Sequence, residues 1–79
     1  MPNLFNPATT SRYELPENAL VTLEVFDMLG RRVATLVNEA QASGQHQAAF
    51  DATGLSSGLY LYRLQAGEFA QTRKMLLVK

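Results

Sequence analysis

The residue types that could do chemistry in this chain are few and scattered. His46 is the single histidine, and there is no cysteine. General acid–base or nucleophilic work by an imidazole needs a nucleophile or a carboxylate held beside it, and no such constellation is spaced around His46. Between Gln45 and Asp51 it alternates onto one face with Ala48 and Phe50, so it reads as a packed, hydrogen-bonded residue. Asp27 and Asp51 end apolar segments at turns, where aspartate commonly bonds its own backbone. A calcium loop of the EF-hand kind would need more acidic residues than surround either of them. Gly54, Gly58 and Gly67 are not followed by helical patterns and so imply no phosphate cradle. The expectation is a chain without catalytic, metal or cofactor residues, and not an enzyme.

Aromatic spacing offers a binding chemistry instead. Tyr60 and Tyr62 fall two apart on one face with Leu64. Two aromatics on one face of a β-sheet can stack sugars, as in a carbohydrate-binding or cell-attachment module of a polysaccharide-degrading enzyme. Leu64 on the same face favours core, with the tyrosines supplying apolar area and a hydroxyl reaching the surface. Phe26, out of phase with Val21, Leu23 and Val25, is the better candidate for an exposed aromatic. Arg73, Lys74 and Lys79 make the last segment basic, which on a sheet edge also protects against unwanted pairing.

The elements that must position these residues alternate with a period of two, not 3.6. Tyr13 and Leu15 share one face of a first strand, Thr10 to Leu15, and Pro16-Glu17-Asn18 is a turn. Val21, Leu23 and Val25 face inward on the second, Leu20 to Asp27, which closes on Asp27-Met28-Leu29-Gly30. Val33 to Val37 is a third strand whose inward face is contested between Val33 and Val37 on one side and Ala34 and Leu36 on the other; a bulge can settle its register. The β-branched Val33, Thr35 and Val37 weigh against helix there. Asn38 to Gly44 reads as a polar loop. Gln45 to Asp51 is a strand, Asp51 to Gly58 a long connection, and Leu59 to Ala66 with Phe69 to Val78 a terminal hairpin around Gly67. Gly30, Gly44, Gly58 and Gly67 mark the turns. The fold class is therefore all-β: an immunoglobulin-like antiparallel β-sandwich of six to seven strands.

Length and composition agree. The 79 residues make one domain, with 1–8 as an extended N-terminal linker and a core near the lower size limit. Hydrophobic content of 47% argues against disorder. Seven basic and seven acidic residues cancel, so nucleic acid is an unfavoured partner. The apolar run Met75 to Val78 is far too short for a transmembrane segment. Met1-Pro2-Asn3 lacks the basic and apolar regions of a signal peptide, so any export signal is expected on a larger precursor.

One resemblance gathers these features. Gly54-Leu55-Ser56-Ser57-Gly58-Leu59-Tyr60-Leu61-Tyr62-Arg63-Leu64, then Gly67, then Arg73-Lys74-Met75-Leu76-Leu77-Val78-Lys79, resembles the C-terminal sorting domain of the type IX secretion system. Phe5 through Pro16 and Val33 through Val37 extend the likeness over nearly the whole chain. The match departs at Leu4, where the family often has proline, and at Ser11, where it often has an aliphatic residue. The resemblance implies a non-catalytic β-sandwich that sends an N-terminal cargo from the periplasm through the outer membrane. It also implies removal by a surface sortase, and a cargo anchored at the cell surface or released. The part read by the secretion machinery would be Lys74, Met75, Leu76, Leu77, Val78 and Lys79. The chief alternative is the carbohydrate-binding module; a structural domain like that of the flagellar hook cap protein is a third reading.

Overall fold

The computed structural model describes residues 8–78. Alternating apolar residues become six strands: β1 (Ala8–Leu15), β2 (Ala19–Asp27), β3 (Arg32–Gln41), β4 (Gly44–Asp51), β5 (Gly58–Ala66) and β6 (Phe69–Leu77). A four-stranded sheet runs in the order β3-β2-β5-β6 and faces a two-stranded sheet of β1 and β4, every pairing antiparallel. This is the expected two-sheet sandwich. The expected linker over 1–8 lies outside the described residues except for Ala8, which opens β1. Among the described residues no helix is long and apolar enough to cross a membrane.

The inward faces of the strands meet in two clusters. The lower one, at the β1–β2 end, holds Leu15, Val21, Leu23, Ala48, Leu64 and Ala66. The upper one holds Val25, Phe50, Ala52, Tyr60 and Leu77. Leu36 and Tyr62 pack against both and join them. Of the core expected from alternation, Val21, Leu23, Val25, Phe50, Tyr60 and Leu64 are buried, while Tyr13 is half-buried. Ala52, in the connection expected between β4 and β5, is buried at 1% exposure, and Leu55 packs beside it. The connection after β4 is tied to the core by Leu55 N–H donating to the Ala52 carbonyl at 2.9 Å, a single turn without helix.

β3 corrects the expectation most. It runs through Asn38 to Gln41, residues read as loop, and pairs Asn38 with Thr22, Glu39 with Val21, Ala40 with Leu20 and Gln41 with Ala19. Polar strand residues carry no period-two signal when neither face is covered, and β3 is an edge of its sheet. The contested register is resolved by two irregularities: pairing jumps from Leu23–Val37 to Glu24–Thr35, and from Val25–Ala34 to Phe26–Arg32. Leu36 and Val33 are the extra residues. Each bulge lets two adjacent side chains lean inward, so Val33, Ala34, Leu36 and Val37 are all half-buried against the core.

Two turns require glycine. Between β2 and β3, Gly30 adopts φ 85° and donates to the Asp27 carbonyl at 3.0 Å. Between β5 and β6, Ala66 pairs with Phe69 across a two-residue connection whose first residue, Gly67, has φ 60°. Positive φ at that position is the requirement of a type II′ hairpin turn, and it costs glycine least.

Candidate functional site

The basic and apolar segment singled out in the sequence lies, through Leu77, on β6, which among the described residues is an edge strand hydrogen-bonded only to β5. Phe69 to Lys74 are all exposed; only Met75 (half-buried) and Leu77 (buried) turn inward. Strand alternation divides the segment. Met75 and Leu77 pack with Val25, Phe50 and Tyr60 in the upper cluster. Lys74, Leu76 and Val78 point outward, Leu76 and Val78 about two-thirds exposed. The inward pair holds the strand in place, and the outward residues are the ones a partner can reach. Strand β6 ends at Leu77, with Val78 just beyond it; Lys79 lies outside the described residues.

Strand β5 positions β6. Gly58 pairs with Leu77, Tyr60 with Met75 and Leu61 with Lys74. Tyr60 is buried, and its hydroxyl donates to the Ser56 carbonyl at 2.7 Å, fixing the connection that leads into β5. Tyr62 is half-buried between the two clusters. The tyrosine pair therefore does not form an outward stacking platform for sugar. Phe26 is half-buried rather than exposed: the Arg63 guanidinium lies over its ring, 5.0 Å from the centroid. Arg63 Nη2 also lies 3.8 Å from Glu24, which accepts from Arg32 Nη1 at 2.9 Å, so two arginines flank one carboxylate across β3, β2 and β5. Gly44 and Gly58 open β4 and β5.

The other residues with chemical potential are committed to structure. His46 stacks on Tyr13, ring centroids 5.6 Å apart, and its Nε2–H donates to the Ala42 carbonyl at 2.7 Å. The Tyr13 hydroxyl donates to Gln41 Oε1 at 2.5 Å. Burial raises the Tyr13 pKa above that of an ordinary phenol; the Gln41 bond opposes this and the Glu39 charge adds to it. Asp27 organises the β2–β3 turn: its Oδ1 accepts from Leu29 N–H and Arg31 N–H, both at 2.9 Å, and its Oδ2 accepts from Arg31 Nε at 2.7 Å. The Arg31 amide bond, followed by the Arg31 side-chain and Leu29 amide bonds, holds its carboxyl below the usual range. Asp51 accepts from the Thr53 amide at 3.0 Å and from the Thr53 hydroxyl.

A groove of about 340 Å³ separates β1 from β6, lined among others by Arg12, Glu14, Tyr62, Phe69, Gln71 and Arg73. A smaller cavity of about 150 Å³ lies between Ser11, Val25, Leu36, Phe50, Tyr62, Lys74 and Met75. Ser11 is thus the residue at which β1 fails to fill the space beneath it.

No curated protein and no solved structure matches the chain. The sequence profile of the secretion system C-terminal sorting domain matches residues 5–79. A domain of that kind is a C-terminal sorting signal for type IX secretion, and it implies export across the outer membrane to the cell surface or beyond. The match takes in all six strands and the exposed edge strand β6, and with it the chain belongs to the family of type IX secretion system C-terminal sorting domains.

Proposed function

We propose that the segment Lys74–Lys79, of which residues 74–77 lie on the edge strand β6, is the part of this sorting domain that the secretion machinery reads. The observation that carries this reading is the division of the strand. Met75 and Leu77 are anchored in the core, while Lys74, Leu76 and Val78 face outward. An edge strand also offers backbone N–H and C=O groups to a receptor that adds a strand of its own. A cargo on the N-terminal side would thereby be carried through the outer membrane. A surface sortase would then remove the domain and leave the cargo anchored or released.

The test is a reporter carrying a periplasmic signal peptide and this domain, expressed in a type IX-competent host. The intact fusion reaches the surface, and deletion of Lys74 to Lys79 leaves it in the periplasm. Lys74→Ala, at an exposed position, separates recognition from folding, and Lys79→Ala is made beside it. Equal export with and without the last six residues places the signal elsewhere. The mass of the surface-exposed reporter checks removal: a product lacking the domain supports cleavage, and one retaining it refutes cleavage.

A further inference from the structure

The outward face of the four-stranded sheet is divided along the strands. Toward the end where β2 and β6 finish and β5 begins, it carries Phe26, Leu59, Leu61 and Leu76, with Val78 just beyond. These residues are neighbours: Leu59 pairs with Leu76, and Phe26 with Leu61. Leu59 is 45% exposed and Leu76 67%. Toward the other end the same face carries Thr22, Gln65 and Ala70, with Leu20 as a solitary exposed apolar residue. A solvated sheet face alternates apolar-in and polar-out, and a cluster of leucines on the outer side at one end is not needed to bury the core.

Charge is divided the same way, although the chain as a whole is neutral. Glu14, Glu17, Glu39 and Glu68 lie at or near the turns of the far end. Arg31, Arg32 and Lys74 lie toward the apolar end of this sheet and Arg63 at its middle, answered by Glu24 and Asp27. We infer that this composite face, centred on Leu59 and Leu61 of β5 together with Leu76 of β6, is the docking surface for the secretion machinery, and that the partner is a protein surface with an apolar centre and, at its rim, a carboxylate that meets Lys74. The inference rests on the sorting reading above and adds β5 to the recognition surface. A lipid surface fits less well. Anionic membranes hold clusters of basic residues, whereas Arg31, Arg32 and Arg63 are tied to Asp27 and Glu24, and Lys74 is the one unpaired cation of this face among the described residues.

The same reporter fusion tests it. Leu59→Thr keeps a strand-forming residue and removes apolar contact; surface reporter falls about tenfold, the loss expected when one leucine no longer buries its side chain. Leu20→Thr, more exposed at 65% and on the same face at the opposite end, leaves export unchanged. Position 59 lies diagonal to Lys74 across β5 and β6, so the fold favours Leu59→Glu over Leu59→Lys; better export of the lysine variant therefore reads the partner's charge. Normal export of Leu59→Thr overturns the composite face, and if deletion of Lys74 to Lys79 still blocks export, the terminal-segment reading stands without it. Equal export of the glutamate and lysine variants overturns the acidic rim. Sedimentation of the fusion with phosphatidylglycerol vesicles, lost in Leu59→Glu, assigns the face to lipid and overturns the protein partner.

Discussion

At the scale of single residues, the polar side chains hold turns and connections rather than perform reactions. Asp27 receives two amides and a guanidinium nitrogen, and its carboxyl titrates below the usual range. A depressed folded-state value means that its contribution is fully present above the unfolded value of about 4 and is lost as pH falls through the folded one. The melting temperature therefore declines as pH falls below the unfolded value of about 4, and less steeply in Asp27→Asn, whose amide cannot titrate. Parallel declines in parent and variant assign the acid sensitivity to other carboxylates. Tyr60 is read the same way. Its ring belongs to the upper cluster and its hydroxyl to the Ser56 carbonyl. Tyr60→Phe keeps the ring and leaves that carbonyl without its donor, a loss of about 1 kcal/mol in urea denaturation. A loss near zero shows that water replaces the hydroxyl at no cost.

At the scale of elements, a strand was legible in the sequence wherever one face is covered and the other is wet. β2 alternates Val21, Leu23 and Val25 against Thr22 and Glu24, and the structure buries the first set. β3 was legible only over its first half, Val33 to Val37, because Asn38 to Gln41 extend an edge where neither face is buried, and because two bulges break the period. The presented segment was visible as Lys74 followed by an apolar run. On β5, Leu64 shares a face with Tyr60 and Tyr62 and marked that face as core, as the structure has it; what the sequence hid is that Leu59 and Leu61 adjoin Leu76 and Phe26, a juxtaposition set by strand order. β1 carries a departure that the sequence did reveal: Ser11 stands where the family often has an aliphatic residue. In the structure Ser11 opposes Ala48 and borders the cavity of about 150 Å³. Ser11→Val supplies apolar volume and a β-branched side chain suited to a strand. The variant is more stable by about 1 kcal/mol, raising the melting temperature by roughly 4–8 °C for a domain of this size. An unchanged or lower melting temperature shows that the cavity is hydrated or cannot accept the two methyl groups.

At the scale of the whole molecule, the question is whether a sandwich with two core clusters unfolds as one unit. A chain of 79 residues has roughly 4–12 kcal/mol of stability to distribute. Phe50 is buried in the upper cluster, and Phe50→Ala, at about 3–5 kcal/mol, removes a large share of it. If the clusters were independent, this variant would lose its upper half and keep the lower one. The structure argues otherwise, because Leu36 and Tyr62 touch both clusters, and β2 and β5 run through both. Neither half can open without exposing the joining side chains and breaking the central β2–β5 ladder. The expected behaviour is a single two-state transition. The chain has three tyrosines and no tryptophan, so tyrosine emission can report position. Tyr60→Phe leaves emission to Tyr13, in the lower cluster, and to Tyr62; Tyr13→Phe leaves it to Tyr60, in the upper cluster, and to Tyr62. In each variant the urea transition followed by fluorescence coincides with that followed by far-ultraviolet circular dichroism. Phe50→Ala lowers the midpoint of both signals together. Separate midpoints, with the Tyr60-bearing end melting first, show that the upper cluster is its own unit. The display of Lys74, Leu76 and Val78 is then governed by local opening at that end and not by the stability of the sandwich as a whole.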